Sequence, residues 1–203
     1  DSSNAKLGIV TTGKSYLDVR QALEDLGLSE EKAAAIGIRL YKVGMPWPLE
    51  PTGVHEFARG LEEILVIEEK RPLIENQLKE ELYNHPSNKR PRIVGKLDEK
   101  QQPLQSAAGV LTANQIASVI ASRIALFDQG SEIQRQLRIM EDREAQLVQS
   151  KTDFARTPYF CSGCPHNTST KVPEGSRATA GIGCHFMSVW MDRDTSTLSL
   201  IHI

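Results

Sequence analysis

Leu7-Gly8-Ile9-Val10-Thr11-Thr12-Gly13 is a short apolar run, rich in β-branched residues, that ends at a glycine. Such a run, bounded by a turn residue, is typical of a buried β-strand. Directly after it, Ser15 is predicted to cap a helix whose apolar side chains recur at a mostly helical spacing as far as Gly27. A strand that feeds straight into a helix is the first half of a βαβ unit, so this stretch sets the expected fold class.

The same alternation of strand and helix continues along the chain. The predicted strands cover residues 7–12, 38–43, 63–68 and 93–94. The helices between them are predicted to begin at Ser29, Pro51 and Pro72. Crossovers of the βαβ type make the strands parallel, and strands this apolar are expected where helices cover both faces of the sheet. We therefore predict an α/β domain over residues 1–96, with a small parallel sheet of three or four strands.

Residues 97–150 are predicted to form a linker followed by helices. The linker is charged and glutamine-rich, and Thr112 is predicted to cap a helix that continues to Phe127. A second, strongly charged helix is predicted from Ser131 to Ser150. Its sparse apolar seam consists of Ile133, Leu137, Met140 and Leu147. This pattern predicts a helix that is mostly solvated or faces a partner.

Composition excludes several classes of protein. The net charge of −2 gives no indication of a nucleic-acid or anionic-membrane partner. The apolar runs are strand-sized, far shorter than the roughly 20 residues of a membrane span. The odd number of cysteines, three, argues against a secreted disulfide framework and indicates a reducing, cytoplasmic compartment.

All three cysteines fall within twenty-four residues of one another. Cys161 and Cys164 form a C-x2-C pair in Tyr159-Phe160-Cys161-Ser162-Gly163-Cys164-Pro165-His166, and Cys184 follows in Gly181-Ile182-Gly183-Cys184-His185. A C-x2-C pair places two thiols on one tight turn, where both can face one metal centre, and a third thiol can approach from another loop. The spacing therefore predicts an iron–sulfur site that lacks one ligand within this sequence.

The spacing leaves other interpretations of the cysteines open. Three unrelated buried thiols would behave as small hydrophobic side chains. A zinc site could be completed by His166 or His185, since three cysteines and one histidine form a known structural zinc set. A thioredoxin-type redox pair is less favoured, because no clear amphipathic helix opens after Cys164.

Several segments resemble one enzyme family. Residues 156–170, 172–177 and 181–185 are similar to the start of the thiamine-diphosphate domain of fused bacterial indolepyruvate ferredoxin oxidoreductases, members of the 2-oxoacid:ferredoxin oxidoreductases. Residues 41–49 and 66–70 resemble the transketolase C-terminal-like domain of the same family. The resemblance extends over about residues 5 to 195. It implies a transketolase C-terminal-like α/β domain, a helical linker, and the beginning of a thiamine-diphosphate-binding α/β domain at residues 151–197.

The resemblance also implies a chemistry. Members decarboxylate a 2-oxoacid with thiamine diphosphate and Mg²⁺, form acyl-CoA from coenzyme A, and pass electrons through iron–sulfur clusters to ferredoxin; a homo-oligomer is expected. It assigns Cys161, Cys164 and Cys184 to a 4Fe-4S cluster whose fourth ligand lies beyond residue 203, and it places His166 near thiamine diphosphate. The thiamine and Mg²⁺ motif is also expected beyond residue 203, so the chain alone should be inactive. No catalytic residue and no particular 2-oxoacid are indicated.

Residues 198–203 depart from the family pattern and resemble translated adapter sequence, so a non-native tail is expected there. The alternative function is a non-catalytic, zinc-stabilised interaction module, and an oligomerisation domain without any metal is a third. Metal identity separates them, because an iron–sulfur protein is brown and a zinc protein is colourless.

Overall fold

The first strand occupies the middle of a four-stranded sheet whose neighbouring strands are all parallel. The strands are β1 (Leu7–Thr12), β2 (Ile38–Val43), β3 (Glu63–Ile67) and β4 (Arg92–Val94), in the spatial order β2-β1-β3-β4. Strand positions and parallel pairing confirm the predicted α/β class. The third strand ends at Ile67, one residue earlier than predicted. The carboxylate of the next residue, Glu68, accepts hydrogen bonds from the first backbone N–H groups of the following helix.

The computed structural model describes residues 4–86, 89–149, 156–179, 181–191, 193, 195 and 196. The chain divides into two compact units, Asp1–Gln149 and Ser150–Ile203. The first unit holds the parallel sheet, and the second holds all three cysteines. In the described part of the chain, no helix is both long and apolar enough to cross a membrane.

Six helices of the described residues belong to the first unit. They are α1 (Gly13–Asp25), α2 (Glu30–Ile36), α3 (Pro51–Ala58), α4 (Leu73–Glu81), α5 (Ala113–Ile124) and α6 (Ser131–Gln149). Ser29 caps α2 as predicted, and Thr112 caps α5 in a reciprocal capping box with Gln115. The predicted cap of α1 at Ser15 is wrong, because that helix begins at Gly13, directly after β1, and Ser15 is buried in its first turn.

The sheet is covered on both faces, which explains the apolar strands. One cluster of buried side chains joins β1 and β3 to α1, α5 and the start of α6, and the other joins them to α3 and α4. Alternate residues of a strand point to opposite faces, so Ile9 belongs to the first cluster and Val10 to the second. The predicted three-layer arrangement is therefore present.

Helices α5 and α6 lie in the segment predicted as linker and helices. Helix α5 contributes a continuous buried stripe to the first cluster, with Ile116, Ile120 and Ile124 fully buried. The seam of α6 is buried at Ile133, and its Leu137 and Met140 pack against the same cluster. The start of this charged helix therefore packs against the buried cluster on one face of the sheet. The side chain of Leu147 lies outside the described residues.

One buried ion pair ties α5 to the sheet. Nε and Nη2 of Arg123 donate to the two carboxylate oxygens of Glu63 at 2.7 and 2.5 Å. Both residues are buried, at 5% and 8% exposure, and Glu99 lies 2.9 Å from the same Nη2. The hydrogen bonds to Glu63 raise the pKa of the guanidinium. Because the two partners lie far apart in the chain, this pair fixes α5 against the start of β3.

We expect Gly8→Ala to destabilise the first unit by about 1–3 kcal/mol through overpacking. A Cβ added at Gly8 would meet the ring of Phe57 at 2.7 Å and would clash with Leu61. Gly44→Ala is a matched control, since nothing lies within 4 Å of a Cβ there and its backbone has no positive φ. Chemical unfolding of both variants would measure the difference. Equal stability of the two variants would contradict the close packing at Gly8.

The second unit is built from short elements. They are α7 (His166–Ser169), β5 (Ala178–Thr179), a 3-10 helix (Gly183–Trp190) and β6 (Thr195–Ser196), and β5 pairs with β6 in parallel. The predicted tail, residues 198–203, lies outside the described residues.

Candidate functional site

The C-x2-C pair forms one tight turn, as its spacing predicts. The backbone N–H of Cys164 donates to the carbonyl oxygen of Cys161 at 3.0 Å. Gly163 takes a φ of 73° within this turn, a value that favours glycine because it has no Cβ. The side chain of Asn167 closes the turn from outside by donating from Nδ2 to the same oxygen of Cys161 at 3.0 Å. Both thiols are therefore presented by a locally determined loop.

None of the three cysteines forms a disulfide. Cys161 and Cys184 are exposed and Cys164 is half-buried. Cys184 is the second residue of the 3-10 helix Gly183–Trp190. Unpaired thiols are chemically able to take part in metal binding. Cys161 and Cys184 are not buried, which differs from the alternative of three buried thiols, but whether the three thiols act together stays untested.

His166 lies against the second thiol of the turn. Its Nδ1 is 3.3 Å from Sγ of Cys164, and its ring centroid is 5.2 Å from that of Phe160. On another side, the ring of His185 lies 5.8 Å away, centroid to centroid. Since His185 follows Cys184 directly, this ring contact connects the turn to the segment that carries the third thiol.

A basic side chain supports the same turn from a third segment. The guanidinium of Arg193 lies over the ring of Phe160, 5.4 Å from its centroid, and donates to the hydroxyl of Thr170 and to the carbonyl oxygen of His166. No sequence pattern indicates Arg193 or Thr170. Thr170 follows α7 directly, since the last residue of that helix is Ser169. Arg193 lies too far along the chain for spacing to connect it with His166.

The three thiols do not converge on one point. Within the described ranges, which include all three cysteines and both neighbouring histidines, no group of three His, Cys, Asp or Glu side chains is placed to hold one metal ion. Cysteine is the residue type that binds iron–sulfur clusters, whereas the three thiols of the described residues are not gathered around one centre. Assignment of Cys161, Cys164 and Cys184 to one cluster, and of His166 to the surroundings of thiamine diphosphate, stays a prediction.

A second charged cluster lies where β3 and β4 end. The carboxylate of Glu68 accepts from the backbone N–H groups of Leu73, Ile74 and Glu75 at 2.9–3.1 Å. Burial raises the pKa of Glu68, and this effect outweighs the three hydrogen bonds, which lower the same pKa. Burial lowers the pKa of the neighbouring Lys96. The strand pattern predicts Glu68 as the last residue of the third strand. Its contacts are those of a helix cap, so we interpret this cluster as structural.

Comparison with known proteins finds a family model for the first unit and curated relatives along most of the chain. A family model described as "Indolepyruvate oxidoreductase domain" matches residues 1–147. The chain is similar to two curated proteins named "Indolepyruvate oxidoreductase subunit IorA": it is 28% identical over 191 residues to that of Thermococcus kodakarensis and 27% identical over 192 residues to that of Pyrococcus horikoshii. Each alignment takes in 92% of this chain, so it extends through the cysteine segment. The chain spans only 26% of the length of each relative.

A solved structure also shows weak structural similarity to this chain. It is described as "Split gene transketolase, inactive beta4 tetramer" and is 17% identical to this chain, with a TM-score of 0.39. The match covers 63% of this chain and 41% of the solved one.

Proposed function

Because this chain belongs to the indolepyruvate oxidoreductase domain family, we propose that it is a segment of a larger thiamine-dependent 2-oxoacid:ferredoxin oxidoreductase of the indolepyruvate or arylpyruvate type. The observation that carries the proposal is the family match over residues 1–147, which ends within two residues of the end of the first compact unit. The larger enzyme would decarboxylate the 2-oxoacid with thiamine diphosphate and Mg²⁺, form acyl-CoA, and deliver electrons to ferredoxin.

The second unit would supply part of the electron-transfer path. Cys161, Cys164 and Cys184 would be three of the four thiolate ligands of a 4Fe-4S cluster, a group that accepts and releases electrons one at a time. Support comes from the C-x2-C turn, with its two thiols free and its loop fixed by backbone hydrogen bonds. Because the thiols are not gathered on one point, formation of the cluster would draw the exposed Cys184 towards the turn.

The first unit would act as a structural domain of the enzyme. Its covered parallel sheet offers a rigid support, and its charged cluster at Glu68 caps a helix. We propose that the full-length protein is a homo-oligomer. The three unpaired cysteines agree with a reducing compartment, so we also propose that it is cytoplasmic.

The function is tested on the full-length protein, purified without oxygen. With indolepyruvate or another arylpyruvate, coenzyme A, thiamine diphosphate and oxidised ferredoxin, we expect reduction of ferredoxin that stops when the 2-oxoacid or thiamine diphosphate is left out. The 203-residue chain alone should be inactive in the same assay. Reduction that continues without thiamine diphosphate would contradict the proposed reaction. A colourless protein that contains zinc and no iron would instead support the interaction module.

A further inference from the structure

We propose that the carboxyl edge of the parallel sheet docks the first unit onto the part of the full-length protein that lies outside residues 1–203. The docking surface is an apolar patch formed by Met45, Trp47 and Leu73. The inference rests on one part of the proposed function, namely that this chain is a segment of a larger protein. It concerns a surface of the first unit and does not depend on which cofactors the larger protein binds.

The patch consists of three large apolar side chains that lie mostly in solvent. Trp47 is 67% exposed, Met45 54% and Leu73 47%. The first two follow β2, and Leu73 begins the helix that follows β3, so all three lie at the carboxyl edge of the sheet. Nε2 of Gln77 donates to the carbonyl oxygens of Pro46 at 2.8 Å and of Leu73 at 3.1 Å, so one side chain connects the loop with the start of α4. Apolar side chains exposed singly are normal, whereas a group of them at one place marks an interaction site.

The loop that carries Trp47 is fixed in place by contacts within the first unit. Oε1 of Gln77 accepts from the backbone N–H of Leu49 at 2.9 Å, in addition to the bond that the same amide donates to Pro46. Pro46 and Pro48 restrict the backbone on both sides of the tryptophan. A loop that is already ordered loses little conformational entropy when it binds, and tryptophan is enriched among the residues that dominate interface energies.

The size of the patch favours an occupant that belongs to the same polypeptide. A large aromatic side chain buries about 150–250 Å². Three partly exposed side chains therefore offer much less than the roughly 800 Å² per partner of a stable complex between separate chains. A contact within one polypeptide can be smaller, because the covalent connection keeps the two surfaces at a high effective concentration.

The rest of such a polypeptide is large, and the sheet leaves its edges for contact with it. This chain spans only 26% of the length of each of the two relatives. Both faces of the sheet are already covered by helices of the first unit. A further part of the protein that packs against this unit therefore meets its helices or the edges of its sheet, and the apolar patch at the carboxyl edge is suited to be buried there.

Hydroxyl-radical footprinting read by mass spectrometry tests the proposal, because methionine and tryptophan are among the side chains that these radicals oxidise fastest. The 203-residue chain and the full-length protein are labelled side by side at the same low concentration. We expect Met45 and Trp47 to be oxidised readily in the 203-residue chain and to lose most of this oxidation in the full-length protein. Tyr83 is the matched control, since it is 71% exposed and follows the far end of α4. Its oxidation should be nearly equal in the two proteins.

Two variants of the full-length protein provide a second readout. Trp47→Ser removes the largest side chain of the patch and should restore much of the oxidation of Met45. Tyr83→Ser removes an aromatic side chain of similar exposure and should leave Met45 protected. Because Trp47 is exposed, Trp47→Ser should leave chemical unfolding of the 203-residue chain unchanged, so its effect in the full-length protein reports on the contact and not on the fold.

Equal oxidation of Met45 and Trp47 in the 203-residue chain and the full-length protein would overturn the proposal, as would protection of Met45 that Trp47→Ser leaves unchanged. Protection that develops in the 203-residue chain as its concentration is raised would also overturn it, because the occupant would then be a second copy of this chain. If ferredoxin is reduced while the patch stays unprotected, only the inference fails. If the patch is protected and no 2-oxoacid is oxidised, the proposed function fails and the docking surface stands.

Discussion

Replacing Cys161 or Cys164 by alanine in the full-length protein should abolish reduction of ferredoxin while thiamine diphosphate binding stays close to the wild-type level. Each thiolate supplies one of four bonds to the proposed cluster, so its loss leaves the cluster labile. The diphosphate is expected to be held by a motif outside residues 1–203, which these changes do not touch. The measurements are ferredoxin reduction with an arylpyruvate as donor, and thiamine diphosphate affinity by calorimetry.

The same result is expected for Cys184→Ala, because a ligand from a separate segment is no less necessary to a four-thiolate site. Ser162→Ala is a matched control: Ser162 is exposed on the same turn and carries no thiol. That variant should keep full electron transfer. Any cysteine variant that retained wild-type ferredoxin reduction would remove that cysteine from the proposed ligand set.

We expect Arg123→Met to destabilise the first unit by about 3–5 kcal/mol. The change removes the bidentate partner of Glu63 and leaves this buried carboxylate with the more distant guanidinium of Arg92, at 3.5 Å. Glu99, the other partner, reaches water more easily, since its side chain is 29% exposed. Chemical unfolding of the 203-residue chain would measure the loss.

Two further variants distinguish the effect of losing the ion pair from the effect of losing side-chain packing. The double variant Glu63→Leu with Arg123→Met should recover much of the stability, because replacing both buried partners by apolar groups is often nearly neutral. Arg135→Met is the surface control, since Arg135 pairs with an exposed Glu132. If the double variant were as unstable as Arg123→Met alone, packing and not charge would explain the effect.

The fold was predictable from sequence wherever local periodicity decides it. The run Leu7–Thr12 is apolar and bounded by glycine, and a strand buried on both faces needs such a run. The capping signal of α5 lies within four residues, from Thr112 to Gln115, so the start of this helix was also predictable. The predicted cap at Ser15 was wrong, because α1 begins two residues earlier, at Gly13. The φ of Gly13 is 54°, a value that favours glycine.

Long-range pairings could not be predicted in the same way. Arg123 and Glu63 are sixty residues apart. Arg123 is the one charged residue of α5, but nothing in the local sequence selects Glu63 as its partner over neighbours such as Glu62. In the second unit, the turn at Cys161 is local and was expected, whereas the support from Arg193 depends on tertiary structure. The contact of His166 with Cys164 spans only two residues, but spacing alone does not show where a ring nitrogen points.

The measurement that tests the central proposal most directly is the iron and acid-labile sulfide content of the full-length protein, purified without oxygen, compared with a double variant of Cys161→Ala and Cys164→Ala. The proposal predicts that the double variant loses about four iron and about four sulfide per chain relative to the wild type. Equal iron and sulfide in the two proteins, or zinc in place of iron in the wild type, would contradict it.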